Sequence, residues 1–150
     1  MTKIEIAADA AIKAGFTGQA LVTAIAIAGA ESSFNPGALG DIALMDAKWG
    51  ASVGLWQIRS LKHWNMYTGA DAMRDASKLT DPYYNARAAY AISKGGTNFS
   101  PWSTYTSSAF TPYIVSAANA VRSVIDTVKD NPIKSTAIVA LLILILLYKS

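Results

Sequence analysis

Residues 20–36 read ALVTAIAIAGAESSFNP, and this stretch decides how the rest of the chain is understood. Apolar Leu21, Val22, Ile25 and Ala28 recur at helical spacing. The small residues between them suit a helix packed closely inside a core. Ala20 to Ala30 carry no charge, and Glu31 follows them immediately, just before Asn35-Pro36 ends any helix. A carboxyl leaving an apolar helix end is partly desolvated, and desolvation disfavours its charged form. Such a group can still hold a proton near neutral pH, the property a general acid needs. Position alone also fits a solvated helix terminus, so the neighbouring motifs carry the decision.

Working outward, Ile4, Ala7/Ala8 and Ala11/Ile12 form an earlier helical pattern, with Gly15 as its C-cap and Thr17 capping the next helix. Residues 32–56 are punctuated by Gly and Pro and read as loop and irregular structure. Asp81-Pro82 opens a helix running through Ala86, Ala89, Tyr90 and Ile92 to Lys94, where Gly95-Gly96 stops it. Thr111-Pro112 repeats the capping logic for an amphipathic helix through Ala117/Ala118, Val121 and Val124/Ile125, closed by Asn131-Pro132. Strand signals are sparse. The expected fold is therefore mainly α, with a C-terminal helical stalk and transmembrane helix. The expected domains are a body at 1–112, a stalk at 113–131 and a membrane anchor at 133–149.

Three short motifs stand in order. Glu31-Ser32-Ser33-Phe34-Asn35-Pro36 comes first, Gly54-Leu55-Trp56-Gln57-Ile58 second, and Asp81-Pro82 with Asn85, Ala89 and Tyr90 third. Together, over residues 20–105, they resemble the soluble lytic transglycosylase family of the lysozyme-like (α+β) superfamily. The resemblance implies cleavage of peptidoglycan at the MurNAc-GlcNAc β-1,4 bond. It implies that Glu31 is the acid/base, that Ser32 orients it, and that Gln57 lines a saccharide groove. Tyr90 and Tyr105 are alternative candidates for the aromatic residue near the acid, since Pro101-Trp102-Ser103-Thr104-Tyr105 replaces the family's usual tyrosine–asparagine pair. The segment containing Gly40-Asp41 and Lys48-Trp49-Gly50 is most similar to versions in bacteriophage virion enzymes.

The residues themselves also suit a glycan. Flat aromatic faces stack on pyranose rings, and Trp49 and Trp56 lie in glycine-rich sequence beside the motifs, so both are expected in the groove. A glycosidase normally pairs two carboxylates, whereas a lytic transglycosylase manages with one because a substrate hydroxyl closes an anhydro ring. Asp41 and Asp46 are the candidates for a second carboxylate, which leaves hydrolysis and intramolecular transfer both open. A glycan-binding or channel-forming structural protein without turnover is the reading from another class.

Composition narrows the alternatives. The 150 residues include no cysteine, which excludes disulfides and thiolate metal sites. His63 is the sole histidine and has no ligand cluster at metal spacing, and no phosphate-binding glycine loop is present. No metal and no cofactor is expected. The net charge of +3 is too diffuse for nucleic acid.

Residues 137–147 read AIVALLILILL, within a run from Ser135 to Tyr148 that is free of charge and flanked by Lys134 and Lys149. With no polar face and an interfacial Tyr148, this tail is expected to enter a lipid membrane as a single-pass C-terminal anchor. The N-terminus lacks the apolar region of a signal peptide. A domain so anchored would stay on the side where it was made, away from peptidoglycan. The expectation is therefore a phage protein on an internal virion membrane, with other virion proteins as partners, opening the wall for genome delivery.

Overall fold

A computed structural model describes residues 1–130. The first helix, α1 (Lys3–Ala14), starts at a capping box in which Thr2 and Glu5 exchange side-chain and backbone hydrogen bonds. Gly15 ends it at φ 111, and its N–H returns to the carbonyls of Ala11 and Ile12. Helix α2 (Gly18–Ser32) follows, with Thr17 at its N-cap and a continuous buried run from Thr23 to Gly29. The absence of charge across Ala20–Ala30 is thus explained by burial. Helix α3 (Pro82–Ile92) begins where Asp81 accepts from the Tyr84 N–H, with proline in the first turn, and stops two residues short of Lys94.

Residues 39–61 hold the first correction. They form a three-stranded antiparallel sheet, making the fold mixed α/β rather than mainly helical. Strands β1 (Leu39–Gly40), β2 (Trp49–Val53) and β3 (Ile58–Leu61) lie in sequence order. They are two, five and four residues long, and β2 is interrupted by an irregular register between Trp49 and Ser52. Segments so short and glycine-rich show no sustained alternation. What specifies them is cross-strand pairing. Gly40 faces Ser52, and Ser52 faces Arg59, in one row across the sheet.

The stalk is the second correction. Helix α5 (Ile114–Asp130), reached through a 3-10 turn at Thr111–Tyr113, packs on both α1 and α2. Ala117, Ala120 and Val124 are buried in the same core as α1 and α2. Small alanines allow the helix axes to approach closely, and burying Val124 alone stabilises by about 1.5–3 kcal/mol. The apolar stripe taken for a stalk is therefore a core face. A polar contact supplements it, with the Ser123 hydroxyl donating to Glu5 Oε1 at 2.6 Å.

The third correction concerns the membrane. Among the described residues no helix is long and apolar enough to cross one, so the single-pass anchor and the membrane localisation built on it are not supported. The segment 133–149 assigned to that role lies outside the described residues.

The helices meet the sheet at the second motif. Asn85 of α3 is fully buried, donates to the carbonyls of Val53 and Leu79 at 2.8 Å each, and accepts from the Trp56 N–H at 3.0 Å. Gly54 lies against this amide at φ 81, where a Cβ would collide with Asn85 and the Leu79 carbonyl. Only glycine fits that backbone.

Candidate active site

A cleft of about 300 Å³ opens where the end of α2, the sheet and the short helix α4 (Ser103–Thr106) converge. Glu31 lines it from α2, Asp41, Ser52, Ile58 and Arg59 from the sheet side, and Trp102 and Ser103 from the segment entering α4. Glu31 is half-buried, and its Oε1 accepts from the Thr104 hydroxyl at 2.7 Å. Burial raises its carboxyl above the ordinary carboxylate range. The Asp41 charge adds to that rise, while the Thr104 hydrogen bond opposes it. Glu31 thus combines access to a cleft with a raised proton affinity.

The Ser32 hydroxyl is not hydrogen-bonded to the Glu31 carboxyl. Its hydroxyl faces the carbonyls of Ala28 at 3.0 Å and Leu55 at 2.8 Å, tying the end of α2 to the second motif. Just beyond it, Ser33 and Phe34 take positive φ values of 52 and 60, turning the chain sharply out of the helix.

Gln57 lies in the cleft wall, but both hydrogens of its amide nitrogen are committed. They go to the carbonyls of Ala38 at 3.1 Å and Gly54 at 3.0 Å. Its carbonyl oxygen occupies the space beside Gly40 that a Cβ would fill. Towards a ligand, Gln57 can therefore act only as an acceptor. Asp41, next to Gly40, takes φ 55, accepts from Ser52 and faces the Arg59 guanidinium at 3.8 Å. Arg59 in turn donates to the carbonyls of Gly50, at 2.6 Å, and Leu44.

The lysozyme like domain family matches residues 8–104, well over half the chain. The chain belongs to this family. The match establishes the lytic transglycosylase and lysozyme-like relationship, and with it peptidoglycan cleavage as the general class of activity. Comparison with curated proteins and with solved structures returned no match.

Within this lysozyme-like domain, other residues expected in the groove lie elsewhere. Trp56 is a core residue, 1% exposed, whose indole donates to the Ala24 carbonyl at 2.8 Å. Tyr90 packs edge-on against Phe16, with ring centres 5.1 Å apart, and does not line the cleft. Tyr105 stacks on Phe110 at 5.1 Å, one residue from Thr104 but turned to an aromatic cluster. Trp49 starts β2 and carries the Arg74 guanidinium 5.5 Å from its ring centre, so it backs a cleft residue. Asp46 is also outside the cleft. It accepts from the N–H groups of Trp49 at 2.6 Å and Lys48 at 2.8 Å, which hold its carboxyl below the usual range. It organises the turn into β2. Among the described residues no cluster of His, Asp and Glu could hold a metal.

Sequence reasoning missed Thr104, Arg59, Arg74 and Trp102 as cleft-side residues. Thr104 stands beside Tyr105 in Pro101–Tyr105, where a lone threonine carries no motif signal of its own. The arginines carried no motif at all. Arg74 is held by Asp71 at 2.6 Å and by the Arg59 carbonyl at 3.0 Å, contacts that depend on the folded loop between β3 and α3.

Proposed function

We propose that this lysozyme-like domain cleaves the MurNAc–GlcNAc β-1,4 bond of peptidoglycan by intramolecular transfer, with Glu31 as acid and then base. The observation that carries the reading is Glu31 itself, a half-buried carboxyl with raised proton affinity at the edge of an open cleft. In its acid form Glu31 protonates the glycosidic oxygen as the bond to the sugar's C1 breaks. The resulting carboxylate then takes the proton from the C6 hydroxyl of the MurNAc ring as that oxygen bonds to C1. One proton is given and one recovered, so no water needs activation. The Gln57 carbonyl oxygen accepts from a sugar hydroxyl, and Trp102 and Ile58 supply apolar wall.

Asp41 supports a second reading, a hydrolytic lysozyme, because it places another carboxylate on the same cleft. Against it, Asp41 is already engaged by Ser52 and faces Arg59, a carboxylate built into the wall rather than left free to activate water.

The test is digestion of purified peptidoglycan by the full chain and by Glu31→Gln, with mass spectrometry of the released muropeptides. Wild-type protein should release 1,6-anhydro products, and Glu31→Gln should lose at least about 100-fold in rate. Reducing ends in place of anhydro ends would establish the hydrolytic reading. Equal rates for the two proteins would remove Glu31 from the mechanism.

A further inference from the structure

Both walls that flank Glu31 are tied to one short loop. Ser32, at the end of α2, donates to the carbonyl of Leu55 at 2.8 Å. The Trp102 indole, at the start of α4, donates to the next carbonyl, that of Trp56, at 2.8 Å. Consecutive peptide groups thus fix the two helices relative to each other. Thr104 is secured again from its C-terminal side, where its carbonyl accepts from the Phe110 N–H at 3.1 Å. Phe99 packs against both Trp102 and Tyr105, with ring centres 6.1 and 5.7 Å away. The reach of the Thr104 hydroxyl to Glu31 is consequently set by the scaffold.

We infer that Thr104 is a positioning residue for Glu31, holding Oε1 so that Oε2 is the oxygen that carries the proton to the glycosidic bond. The inference rests on the reading of Glu31 as the acid. A carboxyl on three rotatable bonds would otherwise sample orientations in which neither oxygen faces the bond. The hydroxyl can donate both to a carboxylate oxygen, where the bond is stronger, and to the carbonyl oxygen of the neutral acid, so it can hold the group through both halves of the cycle. Among the described residues the Thr104 side chain has no second hydrogen-bond partner. α4 is capped at Trp102, and the hydroxyl's hydrogen bond is to Glu31.

The charged groups that share the cleft are Asp41 from the loop after β1, Arg59 of β3 and Arg74 from the loop before α3. Asp41 opposes ionisation of Glu31, and the two guanidiniums are engaged by Asp41, Asp71 and backbone carbonyls. Thr104 is the neutral donor that acts on Glu31 directly, so its removal can be told apart from a change in cleft charge.

The experiment compares the full chain with Thr104→Val, Thr104→Ser and Glu31→Gln. It measures turnover on peptidoglycan against pH, the ¹³C titration of the Glu31 carboxyl, and thermal unfolding. Thr104→Val should lower kcat roughly 10- to 100-fold with little change in KM, the size of one hydrogen bond to a charged group. The Glu31 titration should move to higher pH, because a donor to the charged form is gone. Thr104→Ser should restore both. Thr104→Ala provides the same comparison should valine disturb α4. Valine and alanine variants that titrate and turn over like wild type, or a serine variant as impaired as valine, would overturn the inference. Glu31→Gln separates the two levels. If it is inactive while Thr104→Val equals wild type, only the positioning role fails. If it is fully active, the acid reading fails.

Discussion

Replacing Asn85 by alanine should unfold this protein far more readily than its size suggests. The amide makes three hydrogen bonds in a fully buried place, to the Val53 and Leu79 carbonyls and from the Trp56 N–H. Truncation leaves all three backbone groups without that partner. A buried group left unsatisfied costs about 1–3 kcal/mol, with carbonyls towards the lower end because they keep a second lone pair. Together this gives about 3–6 kcal/mol, a large share of the roughly 5–15 kcal/mol that holds a domain folded. For a chain of this size the melting temperature should fall by roughly 10–20 °C. Urea unfolding followed by circular dichroism and tryptophan fluorescence would measure the free-energy change, with an unchanged m-value showing that the unfolded state is the same. Trp56 reports directly, since it accompanies the lost bond. An Asn85→Ala protein melting within about 2 °C of wild type would refute the idea that this amide joins α3 to the second motif.

Two further outcomes test the carboxyls of the cleft. Asp41→Asn should cost less than about 10-fold in kcat if a substrate hydroxyl attacks, whereas loss of a water-activating base costs roughly 10²–10⁴-fold; a fall beyond about 100-fold in a turbidity assay would sink the transfer mechanism. Glu31→Gln should melt above wild type at neutral pH. Because the folded-state affinity of Glu31 for its proton is raised, the native state binds more protons than the unfolded one as its carboxyl titrates. Its stability penalty is therefore absent below the unfolded pKa and grows as pH rises through the folded one. The advantage of glutamine should vanish in acid, and a pH-independent difference in melting temperature would contradict the burial of Glu31.

The helices were legible because their signals are local. Asp81-Pro82, Gly15 and the uncharged run before Glu31 each mark an element through its own residues. The sheet was not, because two- to five-residue strands are specified by partners in the fold. Among cleft residues, Glu31, Gln57 and Asp41 were named from sequence, and the structure brings all three to one cavity. Trp56 shows the opposite failure. An aromatic residue in glycine-rich sequence looks exposed, yet the glycine beside it serves close approach to Asn85, which draws Trp56 into the core. The arginines were illegible because their partners, such as the Gly50 and Leu44 carbonyls, are backbone groups that any residue could supply.

The packing of α5 against α1 has a consequence for how the protein is made. Those helices are separated by about 100 residues of chain, from Ala14 to Ile114. At about 5–20 residues per second, synthesis leaves the flank of α1 that α5 will cover without its partner for roughly 5–20 s. The early chain therefore carries an open apolar surface on a timescale much longer than helix formation or collapse. Helix α5 acts as a latch on this core, and the nascent protein depends on whatever shields α1 until that latch arrives.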